Sequence, residues 1–276
     1  MAVLKALKRS PGAFWRNPVI ALPMIALVLL QTPSFAAEFL DPFLAMVLSV
    51  GISVIFVFVL PYFQGGIIGM ADEALDESTS IGTFHAAGTS NYLSIFGAYL
   101  MLIAINVVLG IGMVLVFFFG LGAAYFGDNT GIGGASFVVL AVFGVLVALG
   151  YLLFNFFIQF YPQSIVIDGY GAIGGLKHSV GVVRRNVLAT VGYSLVAAGM
   201  GIGFGVFAGV ISVFASPNSM ATLATETPPL TWFIAFGVVG GILTVILGTF
   251  MAIFSVSFYR AIADDDGNQS RPAPEL

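Results

Sequence analysis

The chain of 276 residues contains no cysteine, two histidines and only nine lysines and arginines. The lack of cysteine excludes disulfides, thiolate metal sites and thiol nucleophiles. Charged residues make up only 8% of the chain, and 59% of its residues are hydrophobic. A soluble domain has roughly 25% charged residues. The sequence therefore predicts an integral membrane protein, specifically an all-α, polytopic transmembrane helix bundle.

Six apolar segments contain no acidic, basic or histidine side chain. A helix of roughly 20 such residues crosses a bilayer. We predict spans at residues 18–31 or somewhat beyond, 42–62, 92–118, 135–160, 187–214 and 230–259. They belong to a single transmembrane domain at 1–262, which leaves no length for a soluble catalytic domain. An acidic, disordered cytoplasmic tail is expected at 263–276.

The basic residues lie in three patches, separated by long segments that contain none. Cytoplasmic loops retain lysine and arginine, so all three patches should face the cytoplasm. Six spans with both termini cytoplasmic satisfy this rule, and the predicted location is the cell membrane. The patches are Lys5, Lys8, Arg9 and Arg16, then Lys177, Arg184 and Arg185, then Arg260 and Arg271.

A short segment that ends in asparagine precedes the first, third and fifth spans. The three asparagines are Asn17, Asn91 and Asn186. The segment from Ile81 also resembles the segment from Ile173, with a small insertion in the later copy. This repetition predicts three helical hairpins, each preceded by an interfacial segment.

The interfacial segment before the fifth span has apolar residues at steps of three and four, which is helical spacing. Its basic residues are expected on another face of the helix. They either anchor the topology or bind lipid headgroups, and the headgroup candidates are Lys177, Arg184 and Arg185. The apolar positions are Ile173, Leu176, Val180, Val183 and Val187.

No catalytic, cofactor-binding or metal site is predicted. Proton relays and general acid–base catalysis need ionisable groups, and the spans contain none. The acidic residues of the first inner loop are interpreted as a solvated face, because His85 nearby lacks the spacing of a metal ligand. Those acidic residues are Asp72, Glu73, Asp76 and Glu77. The protein is therefore not expected to be an enzyme.

Uncharged polar residues and glycines are the remaining features of the spans. Asn106, Asn155 and Gln159 either line a polar path or hydrogen-bond within the bundle. Glycines four residues apart predict close packing of the fifth span against the sixth, or a contact between subunits. They are Gly199, Gly201, Gly203, Gly205, Gly209, Gly237 and Gly241.

Three stretches carry a family resemblance. They are 63–76 (FQGGIIGMADEALD), 184–186 (RRN) and 257–261 (SFYRA). Through these stretches the chain resembles an uncharacterised family of six-span haloarchaeal membrane proteins. The resemblance covers nearly the whole chain. It is more distantly similar to the membrane domain attached to some glycerophosphodiester phosphodiesterases. That resemblance implies a fold but no activity, since those enzymes carry their metal ligands in a separate soluble barrel.

Two function classes follow. The first is a noncatalytic accessory or scaffolding subunit that binds membrane lipids or a membrane partner, either a second copy or another subunit. The alternative is a transporter or channel for a neutral or lipid-like solute, suggested by the repeated hairpins and the uncharged polar residues. No nucleic-acid partner and no cofactor are expected.

Overall fold

The computed structural model describes residues 2–37, 42–126, 133–215 and 230–270. Within these ranges the secondary structure is helical and contains no strand, which confirms the predicted all-α class. The helices, in chain order, are α1 (Ala2–Arg16), α2 (Ala21–Ala37), α3 (Pro42–Ala74), α4 (Ile81–Ser90), α5 (Tyr92–Phe126), α6 (Gly133–Ile158), α7 (Tyr161–Val166), α8 (Ala172–Arg185), α9 (Val187–Ala215) and α10 (Leu230–Ser270).

Five of the described helices are long and apolar enough to cross a membrane, namely α3, α5, α6, α9 and α10. The segment 18–33, which is a 3-10 turn at Pro18–Ile20 followed by most of α2, counts toward a sixth crossing only together with α1. The 17 residues of α2 extend about 26 Å and the turn adds about 6 Å, which together match a hydrocarbon core of roughly 30 Å. The chain bends by 89° between α1 and the segment 18–33, so α1 runs perpendicular to that segment.

The predicted starts of four spans agree with the structure, since α3, α5, α9 and α10 begin at Pro42, Tyr92, Val187 and Leu230. Three helices extend well beyond their predicted ends. α5 continues from the predicted end at 118 to Phe126. α3 continues to Ala74 and α10 to Ser270. The helix therefore includes residues 263–270, where the sequence predicted a disordered tail, because no proline interrupts its hydrogen bonding there. Residues 271–276 lie outside the described residues.

The chain forms two compact units. Unit 1 contains residues 1–92 and 185–276, and unit 2 contains residues 93–184. In unit 1, α1 packs against α10, α2 packs against α3, and α4 folds back on α3. The ring of Tyr193 on α9 stacks against Phe254 and Phe258 on α10, with centroids 5.1 and 4.7 Å apart.

Unit 2 has its own apolar core. Ile95 and Ala98 on α5 pack against Tyr161 and Ile165 on α7. Residues of α8, including Leu176, cover this cluster. The short helix α8 is thus held by the core of unit 2.

Glycine permits the close approach of α4 to α3 in unit 1. A Cβ atom added at Gly69 would overlap the Cβ atom of Ala87. One added at Gly88 would lie 2.8 Å from the carbonyl oxygen of Tyr62. The backbones can approach this closely only because neither glycine carries a side chain.

Candidate functional site

The side chain of Asn17 holds the junction between α1 and the first crossing. It is 2% exposed. Its Nδ2 lies 3.2 Å from the carbonyl oxygen of Ala13, one turn earlier, and 3.3 and 3.4 Å from those of Ala74 and Glu77. Its Oδ1 accepts a 2.9 Å hydrogen bond from the N–H of Thr79. Asn17 therefore satisfies polar groups that the end of α3 leaves without intrahelical partners.

Asparagine has related contacts at the other two junctions. The Nδ2 of Asn91 donates to the carbonyl oxygen of Ala87 at 3.0 Å. The Nδ2 of Asn186 lies 3.5 Å from the carbonyl oxygen of Ile262 on α10. At the first and third junctions, the asparagine thus contacts the end of the second long helix of its own hairpin.

An ion-pair cluster joins α1, the end of α3 and the end of α10 within unit 1. Arg260 lies 3.1 Å from Oδ1 of Asp72 and 2.7 Å from Oδ2 of Asp76. Arg9 on α1 lies 3.6 Å from Oδ1 of Asp76. The interpretation of the first acidic loop as a wholly solvated face is wrong for these two aspartates, because folding brings arginines from both ends of the chain to them.

The cluster also indicates which ends of the helices coincide. Arg260 lies near the end of the last crossing, and Arg9 lies before the first. Their shared partner Asp76 places both at one end of unit 1. An even number of crossings between α1 and Arg260 would produce this arrangement.

One face of α8 is buried and packs tightly within unit 2. Ser179 is 0% exposed, and its Oγ donates to the carbonyl oxygen of Phe157 at 3.0 Å and accepts from the N–H of Phe160 at 3.1 Å. A Cβ atom added at Gly175 would lie 2.5 Å from Cγ1 of Ile165. Ser179 therefore satisfies backbone groups at the break between α6 and α7.

The opposite face of α8 forms an exposed stripe of alternating apolar and basic residues. Ile173, Lys177, Val180 and Arg184 are spaced at i, i+4, i+7 and i+11, so they share one side of the helix. All four are exposed, Ile173 by 56% and Val180 by 36%. The prediction that the basic residues lie on a face separate from these two apolar residues is wrong, because the helical spacing puts all four on one side. The buried face is formed by Gly175, Ser179, Val182 and Val183. Arg185 beside the stripe is also exposed.

His178 belongs to a small polar cluster in unit 2. Its Nδ1 lies 3.4 Å from Oδ2 of Asp168 and 3.4 Å from Oγ of Ser164. Its ring stacks on that of Tyr170, with centroids 4.4 Å apart. A nucleophilic relay needs the serine and the carboxylate on opposite ring nitrogens, whereas here the same nitrogen faces both.

The polar residues of the spans bond to their own helices. Each of the three donates a side-chain N–H to a carbonyl oxygen three or four residues earlier, as polar residues in apolar helices commonly do. The bonds run from Asn106 to Leu102 at 2.7 Å, from Asn155 to Tyr151 at 2.8 Å, and from Gln159 to Phe156 at 2.9 Å. A polar solute path through them stays a prediction.

The predicted glycine packing differs from what is found. A Cβ atom added at any of the five glycines of α9, or at Gly237, would meet no described atom within 4 Å. One added at Gly241 would lie 3.5 Å from Cγ1 of Val28 on α2. The described part of the chain thus contains no tight helix pair at the α9 glycines, and their role in a contact between subunits stays a prediction. These five are Gly199, Gly201, Gly203, Gly205 and Gly209.

Sequence reasoning missed the roles of Arg260 and Ser179. Arg260 counted only as a topology signal, because its partner Asp76 is 184 residues away in sequence. The role of Ser179 was missed because the residues around it follow an apolar pattern, and its backbone partners at Phe157 and Phe160 are known only from the structure. Among the described residues, no group of three or more histidine, aspartate or glutamate side chains could hold a metal ion.

Comparison with curated proteins and with solved structures found no match. A family model described as a domain of unknown function, DUF7847, matches residues 1–262. The matched range includes α1 to α9 and the crossing part of α10. The chain is therefore a multi-pass membrane protein that belongs to the DUF7847 family.

Proposed function

We propose that this protein is a noncatalytic membrane module that binds anionic lipid headgroups through the exposed face of α8. The phosphate ligands are Lys177, Arg184 and Arg185. Such a module would act as an accessory or scaffolding subunit, on lipid alone or together with a membrane partner.

The observation that carries the proposal is the exposed stripe of α8. Lys177 and Arg184 lie between Ile173 and Val180 on a helix whose other face is buried. A surface that alternates cationic and apolar side chains fits the boundary between headgroups and acyl chains. The helix contains no acidic residue that would compete for the cations.

Three further points support a noncatalytic role in the membrane. The predicted spans contain no acidic, basic or histidine side chain, and the His178 cluster lacks the geometry of a nucleophilic relay. The resemblance to the membrane domain of glycerophosphodiester phosphodiesterases fits a module that works beside a separate catalytic protein. The basic patches favour a cytoplasmic position for α8 and for both termini of a cell-membrane protein.

The transporter alternative has weaker support. Its candidate polar residues donate to carbonyl oxygens of their own helices, which uses donors that a solute path would offer. The test is to measure solute flux into liposomes that contain the protein. A lower flux for the variant Asn106→Leu than for the wild type would favour transport over the lipid-binding module.

The headgroup site is tested by removing its three charges together. Titration of the detergent-solubilised protein with phosphatidylglycerol, followed by native mass spectrometry, measures lipid affinity. The variant Lys177→Gln/Arg184→Gln/Arg185→Gln should bind about 100-fold more weakly at low salt, since each basic residue near an anionic surface contributes about 1 kcal/mol.

The matched control keeps the charge and changes the side chains. The variant Lys177→Arg/Arg184→Lys/Arg185→Lys should bind within a few-fold of the wild type if charge dominates. Equal binding by wild type and the glutamine variant would rule out the headgroup role of α8.

A further inference from the structure

The segment that forms α1 resembles the segment that forms α8. Residues 4–17 align with residues 173–186 without a gap, and six of the fourteen positions are identical. Chance similarity of two apolar helices does not account for this, because four of the identities are polar residues. The identical pairs are Leu7/Leu176, Lys8/Lys177, Ser10/Ser179, Gly12/Gly181, Arg16/Arg185 and Asn17/Asn186.

The two helices also bury the same positions. Ala6, Ser10 and Ala13 are buried on α1, and their counterparts on α8 are buried as well. Ser10 and Ser179 are both 0% exposed. Equal burial of aligned residues means that each helix rests on its own unit by the same face.

The exposed stripes therefore correspond. Leu4 is 60% exposed and Lys8 is exposed on α1, as Ile173 and Lys177 are on α8. Trp15, which is 79% exposed, takes the place of Arg184. The α1 stripe thus keeps one lysine and one large aliphatic residue and gains an indole ring, a side chain that favours the headgroup layer.

Basic residues near the α1 stripe make it a cationic surface. Lys5 and Arg16 are exposed, and α1 contains no acidic residue. The Nε of Arg16 donates to the carbonyl oxygen of Gly12 at 3.3 Å, which holds the guanidinium beside the helix. Arg9 is excluded from this surface, because it turns to Asp76.

The bend at the first junction gives α1 a suitable orientation. α1 lies at 89° to the segment 18–33. When that segment crosses the membrane along the normal, α1 lies in the membrane plane. Its cationic and indole side chains then stand at the depth of the lipid phosphates.

We propose that α1 carries a second binding site for the phosphate of an anionic lipid headgroup, formed by Lys5, Lys8 and Arg16 and bordered by Trp15. The inference takes its ligand class from the proposed function of α8, on which it rests. The occupant is a bilayer lipid rather than free phosphate, because Leu4 and Trp15 expose apolar surface that only a lipid would cover.

The third short helix is a natural contrast. α4 contains no lysine or arginine. His85, its most basic residue, has its Nδ1 2.9 Å from the hydroxyl oxygen of Tyr62. The cationic character thus belongs to α1 and α8 and not to every short helix that precedes a span.

The fluorescence of Trp15 reports on the α1 site separately from α8. The chain has two tryptophans, so Trp232→Phe leaves Trp15 as the only one. Brominated phosphatidylglycerol in mixed micelles should quench the fluorescence of Trp15. Phosphatidylcholine with the same bromine content should quench it less. The change Lys5→Gln/Lys8→Gln/Arg16→Gln should raise the lipid concentration for half-quenching about 100-fold at low salt.

The glutamine variant of α8 is the matched control, because it also removes three charges. It should leave quenching of Trp15 unchanged and remove one of two bound lipids in native mass spectra. If the α8 variant kept both lipids while the α1 variant lost one, the proposed function of α8 would fail and the α1 site would stand.

Three results would overturn the α1 site. The first is quenching that the α1 variant does not weaken. The second is equal quenching by the two brominated lipids, and the third is loss of bound phosphatidylglycerol on addition of millimolar inorganic phosphate. Should the triple variant fail to fold, Lys5→Gln/Lys8→Gln, which retains Arg16, is expected to shift half-quenching in the same direction by a smaller factor.

Discussion

The side chain of Asn17 contacts three groups that are distant along the chain. Its amide meets carbonyl oxygens of Ala74 and Glu77 and the N–H of Thr79. These groups are about 60 residues away along the chain. A side chain of this kind stabilises a fold mainly because its removal leaves buried polar groups without partners.

The change Asn17→Ala should lower the free energy of unfolding by about 2–4 kcal/mol, since several hydrogen bonds at a buried position are lost together. Thermal melting in detergent measures the loss. Asn91→Ala is the matched control and should cost about 1 kcal/mol, because the Asn91 amide contacts, among the described residues, Ala87 and Ser90 of the neighbouring helix α4. Equal melting temperatures for the two variants would contradict the role of Asn17.

At the scale of the helices, the close approach of α3 and α4 makes a second prediction. Gly69→Leu should prevent α4 from folding back on α3, because even a Cβ atom at Gly69 overlaps Ala87. Overpacking of this kind costs about 1–3 kcal/mol or more. Limited proteolysis near residues 75–80, together with melting temperature, measures the effect.

Gly205→Leu on α9 is the matched control for Gly69→Leu. An added Cβ atom at Gly205 meets no described atom within 4 Å, so the protomer should keep its melting temperature. If Gly205→Leu instead changes the assembly state in native mass spectra, the α9 glycines mediate the predicted contact between subunits. A lower melting temperature for Gly205→Leu than for Gly69→Leu would contradict the packing found for α3 and α4.

The starts of helices were predictable where a local residue marks them. The ends were less predictable where tertiary packing determines how far the helix continues. Asparagine before Tyr92 and before Val187 marks the starts of α5 and α9, because the preceding helix ends there. The ends of α3 and α10 were underestimated, because a helix continues past the last apolar residue when tertiary contacts such as those of Arg260 hold it.

The orientation of α8 was the main error at this scale. Hydrophobic spacing selected Val183 correctly as buried, but it also selected Ile173 and Val180, which are exposed. It missed Gly175 and Ser179, which are buried. Close packing against Ile165 favours a small residue. Lys177, Arg184 and Arg185 are exposed, as expected of basic residues because charge resists burial, and their headgroup role stays a prediction.

At the scale of the whole molecule, the lack of cysteine makes topology directly testable, since each introduced cysteine is the only thiol. Gly12→Cys and Gly171→Cys alter exposed positions with no atom within 4 Å of an added Cβ. Both should react with a membrane-impermeant maleimide only from the cytoplasmic side. Asn129→Cys, between the predicted third and fourth spans, should react only from the other side.

Labelling of Gly12→Cys and Gly171→Cys from opposite sides would contradict an even number of crossings between them. Labelling of both from the outside would reverse the orientation drawn from the basic patches. In unit 1, Arg9 and Arg260 share the partner Asp76 and therefore lie at the same end of the helices. An even number of crossings between them fits this contact.

The right-angle bend between α1 and the first crossing has a mechanical consequence. A helix of 15 residues is about 22 Å long. Pulling the first crossing inward would drag Trp15 away from the headgroups into water, and pushing it outward would drive the lysines into hydrocarbon. With α1 in the headgroup layer, as proposed above, the depth of the first hairpin would be fixed, and a bilayer of different thickness would have to deform around the protein.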